Sequence, residues 1–389
     1  MKIVFIGGGP ASIYSALLIK KKNPKYEVLI FEKEKELLKK FKATGNGKCN
    51  ILNTSDNPNN YNNPDFIDYY LKKLPYPVQK KLIEEHFHIK LKEINDLVYP
   101  INESSATTAL CLIQQVEKLG IKYYLNYRLL KYENQGNNFE LFFSNGETLT
   151  CDVLIISTGG KSTPILGSDG LIFPLLEKKY KIKELKPSLV GLKLKENVKK
   201  LTGKRIKGLV TLLDNEKEIK KENGEIIFKN DGISGIVIMN MSSYINFYKV
   251  KKPIIKLNLS FNITKDELKE NNSNLKNVLF PYLEKDIANY IYVSLNLKYG
   301  SNLTDEEIDR IINYIQNIKF EVTDTYGFNN SQVTSGGVEL NEINSNFESK
   351  KEKSLYFIGE ILDIDGICGG FNLKWALISA YFLSLNFIN

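Results

Sequence analysis

The chain opens KIVFIGGGPASIYSALLIK and reaches EVLIFE at residues 27–32. Residues 2–6 are an apolar run of strand length, stopped by Gly7-Gly8-Gly9. Residues 10–22 then place Ile13, Ala16 and Leu17 at helical spacing, with the stem of Lys20 extending the stripe. A strand, a glycine turn, a helix and a second strand make a βαβ crossover of about thirty residues, and such crossovers imply a parallel sheet. This unit constrains the fold more than any other stretch.

The turn carries its own chemistry. Gly7, Gly9, Pro10, Ala11 and Ser12 follow G-x-G-x-x-G except that Ser12 takes the place of the last glycine. In this pattern the first glycine permits the tight turn, the second lets a pyrophosphate approach the backbone, and the last allows helix and strand to pack closely. Ser12 is small, so only that packing role weakens. The helix start then offers free N–H groups and a positive dipole end to phosphates. Glu32 ends the second strand, 25 positions after Gly7 (32 − 7). Its carboxylate suits a ribose diol and would repel a ribose phosphate, which favours FAD or NAD over NADP.

Composition narrows the remaining classes. With 389 residues, two or three domains are expected. The net charge is +8 (53 − 45), but only Arg128, Arg205 and Arg310 are arginine. The scattered lysines read as a solvated surface rather than a nucleic-acid face. Cys49, Cys111, Cys151 and Cys368 form no C-x-x-C pair, which argues against a zinc site or a redox dithiol. His86 and His88 alternate in EEHFHIK, which suits a short strand or loop edge better than a helical ligand pair. No apolar run has the length of a membrane span. The apolar start lacks a small-residue cleavage site, so a cytoplasmic protein is expected.

Further along, residues 53–64 read as a polar loop and the chain then turns mostly helical. ESSATTALCLIQQVEKLG is a helix capped by Ser104 or Ser105, striped by Leu110, Ile113 and Val116, and ended by Gly120. Alternating strands follow, with Asn145-Gly146 as a hairpin turn, and a buried strand at 153–157 stops at Gly159-Gly160. Residues 187–261 read as short strands and turns. Residues 262–319 read as helical, with capping-box spacing at Thr264/Glu267 and Thr304/Glu307. Strand-like sequence returns at 320–340. The last fifty residues repeat strand, glycines and helix in LYFIGEILDIDGICGGFNLKWALISAYFLSL. A chain that opens and closes with the same kind of unit folds its ends into one domain.

Three further segments look ligand-directed. Thr158, Gly159 and Gly160 end a strand where a ligand can approach the backbone. At 359–373, Gly359-Glu360 is followed by Asp363 and Asp365, and Gly369-Gly370 opens a helix near Asn372. An acid there can hold ribityl hydroxyls. A helix N-terminus there can face the flavin edge that becomes negative on reduction. The third segment, KATGNGKCNILNTS at 42–55, has no hydrophobic periodicity at all.

Together these segments resemble the BaiN/YhiN-type flavoproteins, an aminoacetone oxidase-like family of FAD-dependent oxidoreductases with a glutathione-reductase-like FAD fold. The resemblance covers nearly the whole chain. It is carried above all by KATGNGKCN and GEILDIDGICGGFN, and also by GGGPAS, VYPINESSATTAL, STGGKSTPILGSDG, PSLVGLKL and TSGGVELNEIN. Ser12 and Asn46 stand where the family has glycine, and Lys48 where it has arginine. The resemblance implies an α/β chain with a Rossmann-like FAD-binding domain built from both ends, 1–186 and 336–389. A mainly-β substrate domain (187–261 and 320–335) and a small helical domain (262–319) are inserted. It implies that residues 42–50 run beside the flavin. The expected cofactor-binding residues are Gly7, Gly9, Pro10, Ala11, Ser12, Glu32, Lys33, Thr44, Gly45, Gly47, Cys49, Asn50, Thr158, Gly159, Gly160, Gly359, Glu360, Asp365, Gly366, Gly369, Gly370, Phe371, Asn372 and Leu373. Cys49 is either a flavin neighbour or buried, with burial favoured.

The family spans reduction of conjugated enones in steroid-like acids and oxidation of amines such as aminoacetone. The expected function is hydride transfer through flavin N5, as an NAD(P)H-dependent reductase of a small hydrophobic, enone-like substrate. NADH or NADPH would dock transiently, because no second G-x-G-x-x-G is evident. The alternatives are an amine oxidase producing hydrogen peroxide and, more weakly, an RNA-binding flavoprotein. The expected partners are a small molecule, with no nucleic acid and no membrane. No catalytic residue is assigned; Tyr326, Asp365, Cys368 and water are the candidates for moving a proton.

Overall fold

A computed structural model describes residues 1–259, 263–298 and 302–387. The boundary expected at 261/262 lies outside them. The chain divides into two compact units, Met1–Pro187 with Gln332–Asn389, and Ser188–Ser331.

In the first unit the chain runs β1 (Lys2–Ile6), α1 (Pro10–Lys22), β2 (Glu27–Glu32), β3 (Leu52–Asn53), α2 (Pro64–Lys73) and α3 (Tyr76–Phe87). It continues through β4 (Leu91–Ile94), β5 (Leu97–Pro100), α4 (Ser105–Lys118), β6 (Lys122–Leu125), β7 (Leu129–Asn134), β8 (Phe139–Phe143), β9 (Thr148–Cys151), β10 (Val153–Ile156), α5 (Phe173–Leu176) and β11 (Ile182–Ser188). The second unit holds β12 (Leu192–Leu194), β13 (Arg205–Asp214), β14 (Lys217–Phe228), β15 (Gly232–Ser234), α6 (Ile236–Phe247) and β16 (Pro253–Asn258). It ends with α7 (Lys265–Asn274), α8 (Lys285–Ser294), α9 (Asp305–Gln316) and β17 (Ile318–Thr325). The first unit resumes with β18 (Val333–Val338), β19 (Leu355–Phe357) and α10 (Phe371–Ser384).

The core of the first unit is a parallel sheet in the order β19-β10-β1-β2-β6. From β1 the chain steps to β2 and β6 on one side, and β10 and β19 fill the other. The strand order thus reverses beside β1, and a doubly wound sheet binds its ligand outside the carboxyl ends at such a point. α1 is buried from Ala11 to Ile19. It packs against the sheet and against α10, and so has no polar face. The second unit closes a barrel, β12-β15-β14-β13-β16-β17, beside α6, α7, α8 and α9. Both expected capping boxes form, at the starts of α7 and α9.

Three sequence expectations change here. The histidine segment is helical: His86 lies in α3 and His88 ends it with φ +54°. Tyr76, Gln79, Ile83 and Phe87 share one buried face of that helix, a period of about 3.6 that the two histidines mask. In α4 the buried stripe is Thr108, Ala109, Leu112 and Val116, while Leu110 is 58% exposed. Small residues face inward there because α4 lies close against residues 41–47 and α1, and the Ser105 hydroxyl donates to the Lys42 carbonyl. Finally, residues 236–247 form α6 rather than strands. Their apolar run is buried on nearly every face, and a helix buried all round shows no amphipathic period. Among the described residues, no helix is long and apolar enough to cross a membrane.

Candidate cofactor site

The glycine turn sits at the carboxyl end of β1, and its first residue has no room for a side chain. A Cβ on Gly7 would stand 2.7 Å from the Ser157 carbonyl oxygen at the end of β10, and φ there is +105°. Gly9 is the opposite case: nothing stands within 4 Å of its Cβ position. Gly9 is also the N-cap of α1, with no side-chain cap, and Pro10 follows as the first helical residue. The first N–H groups of the helix therefore face an open cradle. Ser12 is fully buried, donates to the Gly7 carbonyl at 2.5 Å, and lies 2.5 Å from the Ser157 hydroxyl.

Glu32 ends β2 against this turn. One carboxylate oxygen accepts the Gly8 N–H at 2.6 Å and the other the Glu34 N–H at 2.9 Å. Each oxygen keeps a second lone pair for a diol. Lys33 pairs with Asp169 at 2.5 Å, and Arg128 stands 3.9 Å from the same carboxylate. Gly7, Glu32, Lys33, Arg128, Thr158, Gly160, Gly167 and residues 169–172 line a narrow cleft of about 70 Å³. It opens along the carboxyl edge of the sheet, where the strand order predicts a ligand.

The other two motifs come together from opposite ends of the chain. Residues 41–47 form 3-10 turns broken by left-handed Gly45 and Asn46, and Gly45 to Lys48 are exposed. Beneath this loop lies the start of α10. Asn50, with its amide oriented to satisfy both ends, accepts the Gly370 N–H at 3.2 Å and donates to the Leu52 carbonyl at 2.9 Å. Asn53 donates to the Gly369 carbonyl at 2.9 Å. A Cβ on Gly370 would stand 2.5 Å from the Leu52 oxygen, so only glycine lets the two segments close. Tyr61 donates to the Phe371 carbonyl, and Asn372 bonds both the N–H and the carbonyl of Gly366. α10 starts at Phe371 with no side-chain cap. Leu373 is half-buried in its first turn.

The buried Lys374 was not foreseen. It is 0% exposed and reaches Asp56 at 2.6 Å, the Ser55 carbonyl at 2.8 Å and the Asn53 carbonyl at 3.1 Å. Burial lowers its pKa, and the Asp56 carboxylate opposes that shift. In sequence it looked like one more surface lysine.

The acids of the C-terminal motif divide by role. Asp363 accepts from Lys183 at 2.7 Å and from Asn62 at 2.9 Å, so it braces the fold. Asp365 is fully buried, and its N–H donates to the Asn62 side chain. Glu360 accepts from Lys40 at 3.0 Å, from Ser162 at 3.1 Å and from the Thr334 N–H at 2.9 Å. Gly359 is held by Ser379 and Trp375 of α10, and a Cβ on it would stand 3.3 Å from the Ala11 methyl. Cys49 is buried, and burial pushes its thiol up to about 12. In the second unit, Tyr326 donates to Asp231 at 2.6 Å, and burial with that bond raises its phenol well above the ordinary range.

An uncapped helix start, an acid at the end of β2, an open Gly9 cradle and a second uncapped helix under a glycine-rich loop fit FAD, and define an FAD-binding Rossmann protein. A family model described as the HI0933-like protein Rossmann domain matches residues 1–385. The chain belongs to that family and is an FAD-dependent oxidoreductase. It is 27% identical to a 3-dehydro-bile acid delta(4,6)-reductase of Clostridium scindens, across 98% of this chain and 97% of that one. It is equally 27% identical to a ribosomal RNA dihydrouridine synthase of Haemophilus influenzae, with the same coverage. Among solved structures, it is similar to a Rhodococcus jostii 3-ketosteroid-delta4-(5alpha)-dehydrogenase at TM-score 0.53 and 10% identity, across 100% of this chain and 96% of that one. It is also similar to the E. coli quinol fumarate reductase subunit FrdA at TM-score 0.52 and 13% identity, across 100% and 70%. Likenesses at such low identity speak for the fold.

Proposed function

We propose that the protein is an NAD(P)H-dependent reductase that adds hydride to the β-carbon of a conjugated enone on a small hydrophobic substrate. When bound, FAD supplies hydride transfer through N5. The balance is one NAD(P)H and one proton consumed, one C=C bond reduced beside a carbonyl and one NAD(P)⁺ released. The observation that carries the reading is the uncapped start of α10 beneath residues 42–50. Its N–H groups and dipole favour the negative charge that reduction brings to a flavin. The end-to-end likeness to a bile acid reductase supports the enone. We assign the diphosphate to the start of α1, a ribose diol to Glu32, and substrate choice to residues 188–331. None of the four cysteines is in a disulfide, in keeping with a cytoplasmic enzyme.

A second reading rests on the relative named ribosomal RNA dihydrouridine synthase. The uracil C5=C6 bond is conjugated to a carbonyl, so its reduction is the same addition on a different carrier. The +8 charge is compatible with RNA, against the expectation of no nucleic-acid partner.

The test is anaerobic titration of the yellow protein with NADH and NADPH. Rapid bleaching, reversed by a steroid enone, is the expected result. Recovery of colour only with ribosomal RNA, with dihydrouridine found in the RNA by mass spectrometry, would favour the second reading. Indifference to both nicotinamides, with bleaching by a small amine and peroxide formed in air, would make the protein an amine oxidase.

A further inference from the structure

Two hydroxyls beside the cofactor cleft lack any hydrogen-bond partner: Thr158 Oγ1 and Ser168 Oγ. Ser168 is 4% exposed. Both flank the Gly159 turn at the end of β10. Thr158 immediately precedes it, and Ser168 Oγ lies 3.4 Å from the Cβ position of Gly159. Buried hydroxyls are nearly always bonded, so two orphans at one turn call for an explanation.

The segment that carries Ser168, residues 161–172, is fastened unequally. Its root is built into the fold. The N–H groups of Lys161 and Ser162 both donate to Thr334 Oγ1, and the Ser162 hydroxyl meets Lys40 at 2.5 Å and Glu360 at 3.1 Å. Its tip is tied by charge: Asp169 pairs with Lys33 at 2.5 Å, side chains 26% and 18% exposed, with Arg128 at 3.9 Å. Gly167, Asp169 and Gly170, around Ser168, line the same cleft as Gly7 and Glu32.

We propose that residues 161–172 form a strap over the cofactor cleft, latched by Lys33 and Asp169, and that Ser168, with Thr158, is a ligand of the cofactor. As the strap lies, it shuts both hydroxyls away from partner and solvent. An outward shift of the tip, hinged at the Thr334 anchor, turns them toward the cleft. There they meet an acceptor oxygen of the diphosphate or ribityl stretch. The inference rests on the FAD reading, in which Thr158 is already an expected cofactor residue, and extends it to Ser168. It gives Lys33 the work of holding the strap.

The experiment compares FAD release from the wild-type holoprotein, S168A, T158V and D169N. Release is followed by flavin fluorescence after dilution, and the apoproteins are melted in parallel. S168A and T158V should each release FAD about tenfold faster, the worth of one hydrogen bond to a strong acceptor. Their apoproteins should melt higher than wild type, because an orphaned hydroxyl has gone. D169N, which frees the tip to shift outward, should speed uptake without speeding release. A higher melting point with an unchanged rate of FAD release in S168A and T158V would overturn the proposal, leaving the hydroxyls as packing defects. A wild-type protein that takes up no FAD at all would instead overturn the underlying FAD reading.

Discussion

Ser12 shows how much one residue can change within a familiar motif. A third glycine would only make room there. The serine fits the same space and adds a bond to the Gly7 carbonyl and one with Ser157, tying α1 to the ends of β1 and β10. Cys49 lies in a flavin-directed motif, yet its side chain is fully buried. Burial pushes its thiol up to about 12, and that of Cys151 likewise to about 12. The thiolate is the reactive form, and its share falls tenfold for each pH unit below the thiol's pKa. At pH 8 only about one thiol in 10⁴ is ionised at either site. Iodoacetamide at pH 8 should therefore leave Cys49 and Cys151 unlabelled in the native protein while Cys111 and Cys368 react, as read by peptide mass spectrometry. Early labelling of Cys49 would contradict this and reopen a redox role for it. The positions of Gly7, Gly9 and Glu32 at the ends of β1 and β2 were legible from sequence because the βαβ spacing fixes them. Lys374 and Ser168 were not, since a lysine or serine in a helix or loop reads as solvated until its burial is known.

Among the elements, α10 and the stretch from residue 42 to residue 63 depend on each other. The stretch has no periodicity of its own because its backbone groups are met by the other end of the chain: the Asn62 N–H by the Asp365 carbonyl, the Ile367 N–H by the Asn60 carbonyl. Lys374 joins the two with three bonds. Lys374→Met would keep the bulk and remove all three donors, leaving Asp56 without its counter-charge. Breaking such a pair costs 3–5 kcal/mol; with the Asp56 side chain 29% exposed, the low end applies, about 3 kcal/mol. Urea unfolding of the variant should show that loss, with weaker FAD retention. A loss under about 0.5 kcal/mol would show that the clamp contributes little. Elements with a period facing one solvent side, such as α9 with its capping box, were readable. α6 was not, because burial on nearly all faces removes the contrast that periodicity needs.

At the scale of the whole molecule, β19 from the C-terminal segment and β1 from the N-terminal segment share one sheet through β10. Four glycine-bearing segments far apart in sequence thereby reach the carboxyl edge and the start of α10. The repeat of strand, glycines and helix at both ends made this arrangement legible. The latch and the buried hydroxyls came from tertiary contacts that leave no trace in spacing. FAD bound at this edge stabilises the structure that holds it by mass action, about 2.7 kcal/mol at a hundredfold excess over Kd. That gain must appear where the contacts are. Hydrogen exchange should slow at residues 7–12, 42–50, 157–172 and 359–374 when FAD is added, with β13, β14 and β16 of the barrel changing least. The 157–172 stretch is the discriminating one, since its tip should exchange quickly in the apoprotein and become protected only when FAD engages Ser168. Protection confined to the barrel, with those four segments unchanged, would place the cofactor elsewhere and refute the assignment of this edge.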